Sequence, residues 1–535
     1  MKTAKGLLFI SVVSLLVIDV TADDLAQRWR AHVAFLADDT LEGRNTGSEG
    51  HRKAAEYVAD RFKRDGLRPA GTSGYLQPVR FHSRRIVENR SSLALVRDGT
   101  VTPIVLGDEA TFNMRVNPAP EVEARLAFAG YGLAIPEAQH DDFADVDVKG
   151  KVVVFVSGAP SSVPGPLSAH YQSAGERWAA LRRAGAIGTI TIQNPRTSDV
   201  PWERSAPNRL QPSMTLADPA LDDTVGQRLA VTFNAARADR LFEGSGHTVS
   251  ELLAIADAGK VLPRFPLKGT IRAAARTERA ELDSHNVAGL VPGTDPNLRG
   301  ELVVLTAHLD HVGVGAPVNG DRIYNGAMDN ASGIATLLEA ASEISKKPPK
   351  RSVLFLAVTA EEKGLLGSRY FAAHPTSPRH AIVANVNMDM FLPLFPLKSL
   401  MVLGLDESDL GADIRAVAAS MDLAVQADPE PGRNRFIRSD QYSFIRRGVP
   451  SLALKVGYEP NSAEARVAAA WTKERYHAPS DDLSQPIDLE AAAGFTRVIA
   501  ALCERIANRP DRPRWDPDSF FSRFARTGSN GPGPR

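Results

Sequence analysis

Five short runs in this 535-residue chain place histidine or carboxylate where such side chains could do chemistry. They are Ala307-His308-Leu309-Asp310-His311-Val312-Gly313, Gly326-Ala327-Met328-Asp329-Asn330-Ala331-Ser332-Gly333, Ala360-Glu361-Glu362-Lys363-Gly364, Asn387-Met388-Asp389-Met390 and Tyr476-His477-Ala478-Pro479-Ser480-Asp481-Asp482. Taken singly, each has an ordinary explanation. An Asp opening a helix is commonly its N-cap, and paired glutamates commonly form a solvated face. Five in series at the ends of elements of one sheet are hard to explain as surface. Two imidazoles and three carboxylates suit zinc, which accepts His nitrogen and carboxylate oxygen without thiolate. Such a set also suits two metals sharing one carboxylate, which together polarise a carbonyl and acidify a water. Cys503 is the single cysteine, so an intrachain disulfide and a cysteine-based zinc cluster are both excluded.

The elements that must position these residues are legible in the apolar periodicity. From Asn286 onward, strand runs (Leu302–Leu305, Val353–Val358, Ile382–Val386) alternate with helical patterns such as Ala331–Ile344. That alternation predicts an α/β fold, a mostly parallel mixed sheet flanked by helices. Ligands in such sheets gather at the carboxyl ends of the strands, where the five runs lie. Upstream, Ala54, Ala55, Val58, Ala59 and Phe62 recur at helical spacing, with Gly66 as the stop. A different texture begins near Glu121, with the strand Val152–Val156, a helix over Ala174–Ala184 and a strand over Ala186–Ile192.

The domain reading is then a signal peptide over 1–22, the first part of the main domain over 23–119, an inserted domain over 120–270, the main domain over 271–508 and a flexible tail over 509–535. In the leader, Lys2 and Lys5 precede the uncharged run Leu7–Ile18, and Val20-Thr21-Ala22 offers small residues before Asp23. The run is shorter than the roughly 20 residues of a membrane-spanning helix. We expect export to the periplasm or medium, with no integral membrane segment after cleavage. With 63 Lys+Arg against 63 Asp+Glu, no basic excess points to nucleic acid. His32, His170 and His374 read as surface residues, and Cys503 as a buried small hydrophobe.

The five runs together resemble the M28 family of co-catalytic zinc peptidases, in particular bacterial secreted aminopeptidases. The region Ala127–Gln193 resembles the protease-associated (PA) domain often inserted in that family, and Leu41–Ser48 resembles the stretch before its first helix. The resemblance implies two Zn²⁺ per chain. His308 and Asp389 would complete one site, Glu362 and His477 the other, and Asp329 would bridge them. It implies Glu361 as general base, Asp310 as the carboxylate orienting His308, and Tyr476 as an oxyanion donor. His311 matches no family ligand, and Gln441 stands where many relatives carry His. The substrates implied are peptides, cleaved at the amino end. A carboxypeptidase or dipeptidase, using Arg433, Arg435 and Arg438, is the alternative on the same scaffold. A glutaminyl cyclase and a non-catalytic binding protein are more distant ones. The insert is expected to shape access only.

Overall fold

The computed structural model describes residues 22–377, 380–433 and 435–527. The leader expected over residues 1–22 therefore lies, but for Ala22, outside the described residues. Ala22–Leu36 is a helix, and among the described residues no helix is long and apolar enough to cross a membrane.

The main unit is built on a ten-stranded mixed sheet. Its centre is the parallel set Ser352–Val358, Glu301–His308, Ala381–Asn387 and Ser451–Val456. The first two are buried at every position, as expected of parallel strands covered on both faces. The antiparallel strand Leu76–Ile86, farther out, alternates buried and exposed positions over most of its length. One face carries the helices Ala22–Leu36, Glu49–Arg64, Ser332–Lys346 and Leu489–Asn508 against Val303, Leu305, Val353 and Phe355. On the other, Phe371 and Phe444 cover Val304, Leu354 and Leu356. The expected strands of this half are present and slightly longer, and the helix read over Ala331–Ile344 runs Ser332–Lys346.

Ser332–Lys346 is the helix that brings one candidate ligand to the sheet. It is buried along most of its length. A Cβ on Gly333 would meet Asn330 Oδ1 at 2.3 Å and the Met388 carbonyl at 2.6 Å. Glycine there lets the helix start sit directly on the loop that carries Asp389.

A second, eight-stranded sheet forms a separate core. Val152–Val156, Gly188–Ile192 and Leu229–Phe233 run parallel in it. Its extent differs from the boundary at 120. The strands Ser92–Arg97, Thr100–Ile104 and Ala110–Phe112 also belong to it, so the chain enters this unit earlier. Short strands with polar breaks carry no mark of which sheet they join. Ser213–Leu216 leaves the second unit to pair with Leu76–Ile86 of the main sheet.

Two further expectations are corrected. The stretch after 508 is folded as far as Thr527: Trp515 and Phe521 are buried and pack with Ile437, Tyr442 and Ile445. Its Pro- and Arg-rich composition hides an apolar set that finds a groove. His32 and His170 are buried rather than on the surface. His32 bonds Tyr57 Oη at 2.8 Å and Glu339 at 3.1 Å, and His170 bonds Tyr442 Oη at 2.7 Å. Cys503 is buried as expected.

Arg44 ties the Leu41–Ser48 stretch to this frame. Its buried guanidinium donates to the carbonyls of Leu36, Leu309, Asn325 and Gly326, the last three at 2.7–3.0 Å. Burial pushes its pKa down to about 10, against the pull of Asp481 and Asp310. Arg44→Ala would orphan several buried carbonyls at once. We predict a loss of at least about 2 kcal/mol in denaturant unfolding, with Arg44→Lys recovering only part of it because one ammonium cannot reach all four acceptors.

Candidate functional site

Six of the predicted side chains converge at the carboxyl edge of the parallel strands. His308 is the last residue of its strand. Asp329 lies in the turn that leads into the Ser332–Lys346 helix. Glu361 and Glu362 follow Ser352–Val358, and Asp389 follows Ala381–Asn387. His477 comes from the loop after the helix Ala463–Glu474. Three non-glycine residues here adopt left-handed backbone: Ala360 (φ 57°), Met390 (φ 47°) and His477 (φ 52°). Such conformations cost of order 1–3 kcal/mol each and collect at functional sites. At Ala360 the kink ends the strand and lets the adjacent glutamates diverge.

The geometry divides into two clusters that share Asp329. In one, His308 Nε2 lies 3.2 Å from Asp329 Oδ1 and 3.4 Å from Asp389 Oδ1. In the other, His477 Nε2 lies 3.2 Å from Asp329 Oδ2 and 3.1 Å from Glu362 Oε2. His311 also joins the second cluster, Nδ1 2.8 Å from Glu362 Oε1 and 3.8 Å from Asp329 Oδ2. Sequence reasoning undervalued this residue, whose only signal was its adjacency to the first run.

Each ligand candidate is held by its own support. His308 Nδ1 donates to the Asp310 carbonyl at 3.0 Å, which leaves Nε2 facing the carboxylates. This corrects the role expected for Asp310. Its carboxylate accepts instead from the Glu361 N–H at 3.0 Å, the Glu362 N–H at 3.4 Å and the Thr46 hydroxyl at 3.0 Å. Two residues of separation in a tight turn bring the carbonyl to the ring, and the carboxylate turns to the N–H groups at the next strand's end. Asp481 accepts the N–H groups of Met328 and Asp329 at 2.9 and 3.0 Å. Lys455 Nζ holds the carbonyls of Asp389 and Met390, both at 2.9 Å. Gln441, in the family's His position, is locked in the interior by Asn387 at 2.8 Å and the Phe436 carbonyl at 2.9 Å.

The second unit reaches this site. Arg204 donates to the Lys473 carbonyl at 2.6 Å and to the Tyr476 carbonyl, directly before His477, at 2.9 Å. Asp199 pairs with Arg433 and Arg438, and Arg115 donates to the Glu362 carbonyl at 3.0 Å. No pattern in the sequence announced contacts between loops so far apart.

The protonation states follow from crowded carboxylates. Burial alone would lower the His308 and His477 pKa values. Hydrogen bonds to Asp329 and Asp389 raise His308 well above its usual 6.5, and Glu362 with Asp329 raises His477 to about 10. Burial and the charge of Glu362 would raise Asp329, but its two histidines hold it well below the usual carboxylate range. Glu361 is driven well above 4.5 by burial, against the pull of His308 and with the push of Asp389. Burial pushes the Tyr476 phenol well above 10, opposed by Arg438.

This donor set fits divalent cations. Each cluster offers a nitrogen and carboxylate oxygens lying within 4.8 Å of one another. In the second, Glu362 Oε1 and the His311 ring nitrogens are buried without a well-directed hydrogen bond. Close donors aimed past one another are arranged around a point between them rather than for each other. We predict that Arg204→Ala frees the Tyr476–His477 peptide and weakens metal uptake by the His477 cluster, about tenfold or more, leaving the His308–Asp389 cluster unchanged. Competitive chelator titration, read as two separable affinities, checks this.

Parts of this chain are similar to known proteins. Residues 286–503 match peptidase family M28. The chain is 27% identical over 325 residues to a protein named probable leucine aminopeptidase 2 of Aspergillus oryzae, covering 57% of this chain and 61% of that one. It is 29% identical over 241 residues to the protein of the same name in Aspergillus fumigatus, covering 43% and 45%. The matches thus span less than two thirds of either relative. Among solved structures, the aminopeptidase from Aneurinibacillus sp. strain AM-1 superposes with a TM-score of 0.54 at 21% identity, over 91% of this chain and 95% of that one, which establishes a common fold. His308, Asp329, Glu361, Glu362, Asp389 and His477 all fall inside the segment, residues 286–503, that matches peptidase family M28.

Proposed function

We propose that this chain is an exported di-zinc aminopeptidase that releases residues from the amino end of peptides. The observation that carries the reading is the sharing of buried Asp329 between two imidazole–carboxylate clusters, with Glu361 beside them and outside both ligand sets. The first zinc would be held by His308, Asp389 and Asp329, the second by Glu362, His477 and Asp329, with His311 beside it. Two zinc ions there would polarise the scissile carbonyl and acidify a water.

The chain's own groups supply the rest. Glu361 is partly buried and binds a proton more readily than an ordinary carboxylate. That suits a base which takes a proton from the attacking water and returns it to the leaving amine. The Asp310 carboxylate fixes the peptide N–H groups of both glutamates, so the base and its metal-binding neighbour keep separate directions. The Tyr476 phenol stays protonated and lines the same pocket, placed to donate to the carbonyl oxygen as charge develops. A pocket of about 570 Å³ beside Glu361, lined by Met390, Phe391, Phe395, Leu403 and Val456, suits an apolar N-terminal side chain.

The arginines that a carboxypeptidase would need are already engaged. Arg433 and Arg438 pair with Asp199, and Arg435 pairs with Asp428 at 3.2 Å and with Glu430. This favours recognition of the amino end. The inserted, PA-like unit then forms one wall of the approach.

Asp329→Ala should empty both metal positions, read as metal content per chain after dialysis against micromolar zinc. Full occupancy of either would refute the shared ligand. Glu361→Gln should keep both metals and lower the turnover of leucyl amides by about 10²–10⁴, whereas Glu362→Gln should weaken one metal position as well as the rate. The opposite pattern would exchange the two roles. Amides blocked at the amino end should resist cleavage while those blocked at the carboxyl end are cut.

A further inference from the structure

The apolar pocket accounts for only one side of the scissile bond. On the other side of Glu361 and Tyr476 a second cleft of about 1120 Å³ opens between the main unit and the inserted one. Glu361, Tyr476, His477 and Arg438 line both spaces, so a peptide cut beside Glu361 lies across the junction. If its first side chain fills the apolar pocket, the chain beyond the cut has the cleft to enter. Ser157 and Gln193, just past the parallel strands Val152–Val156 and Gly188–Ile192, line its far wall. That is the edge at which open parallel sheets place ligands.

The two spaces differ in charge. The apolar pocket is lined by equal numbers of basic and acidic residues. The cleft is lined by seven arginines against five acidic residues, and two of those five are Glu361 and Glu362. With these two committed to catalysis, the remaining wall is strongly basic. Several of its arginines are internally paired: Arg433 and Arg438 with Asp199, Arg369 with Asp223 at 3.1 Å, Arg446 with Glu176 at 2.8 Å. Arg447 and Arg115 are exposed and make no ion pair among the described residues. Arg115 stands directly over the catalytic strand end, on the Glu362 carbonyl.

We propose that this cleft binds the part of the substrate beyond the scissile bond and selects for a carboxylate there, through Arg447 and Arg115. The inference rests on the aminopeptidase reading and adds a substrate class to it: peptides with an acidic side chain, or a free carboxyl terminus, within the first few residues after the cut. A guanidinium fork matches a carboxylate, and an open basic cleft raises the local concentration of anionic ligands in a salt-dependent way.

The test is binding to zinc-loaded Glu361→Gln protein, which does not require turnover. Dissociation constants are measured calorimetrically for Leu-Ala-Ala-Ala amide, its free acid, Leu-Ala-Glu-Ala amide and Leu-Ala-Lys-Ala amide. The Glu peptide should bind about fivefold or more tighter than the Lys peptide at low ionic strength. The gap should shrink in 0.5 M salt, and it should shrink when Arg447→Gln is added. The free acid against its amide shows whether the terminal carboxylate serves as well as a side chain. Equal affinities for the Glu and Lys peptides, or a gap unchanged by both salt and Arg447→Gln, would overturn the proposal. Hydrolysis of leucyl p-nitroanilide by the unmodified protein decides the aminopeptidase reading separately, since that substrate places no carboxylate in the cleft.

Discussion

The mutual repulsion of buried carboxylates is the constraint on which the rest of the site depends. Asp329, Glu362 and Asp389 bring ligand oxygens within 4.8 Å of neighbouring donors. Two like charges at that separation oppose each other by about 3–4 kcal/mol even at an effective dielectric of 20. Positive charge must occupy the space between them. Without metal it comes from protons on His308 and His477, whose pKa values rise for this reason. A divalent cation in each cluster would replace those protons, so metal uptake would be linked to proton release. Asp329 faces both clusters, so its loss would disturb both charge balances at once.

That electrostatic arrangement is held by backbone rather than by ligands. Strand ends supply His308, the paired glutamates and Asp389, and left-handed turns at Ala360, Met390 and His477 re-aim the chain where a straight continuation would carry it past the site. Asp310 on the Glu361 N–H, Lys455 on the Met390 carbonyl and Arg204 on the Tyr476 carbonyl each satisfy backbone groups at these turns. Their positions explain how strained loops persist: the surrounding hydrogen bonds over-determine them. The inserted unit takes part through Arg204 on the Tyr476 carbonyl, and so supports the loop that carries His477.

Much of this was legible in the sequence. Apolar runs with period-appropriate breaks located the central strands, and acidic or imidazole residues just beyond them marked the ligand edge. What lay hidden depends on contacts between distant segments. His311 looked incidental because its partner Glu362 lies in the loop after another strand. Asp310 was given the right neighbourhood and the wrong atom, since spacing along a chain does not tell a carbonyl from a carboxylate. The early strands Ser92–Phe112 carried no mark of which sheet they join. Trp515 and Phe521 sat in a composition typical of tails, and the groove that receives them is made by residues some 70 positions earlier. His170 looked like surface because its partner Tyr442 lies in the other unit.

The central claim, that two cations share the carboxylate of Asp329, is most directly tested by anomalous diffraction at the zinc edge from crystals of the zinc-loaded protein. The account predicts two peaks per chain, one against His308 and Asp389 and one against Glu362 and His477, with Asp329 bonded to both. A single peak, or a pair of which either lies out of reach of Asp329, would contradict it.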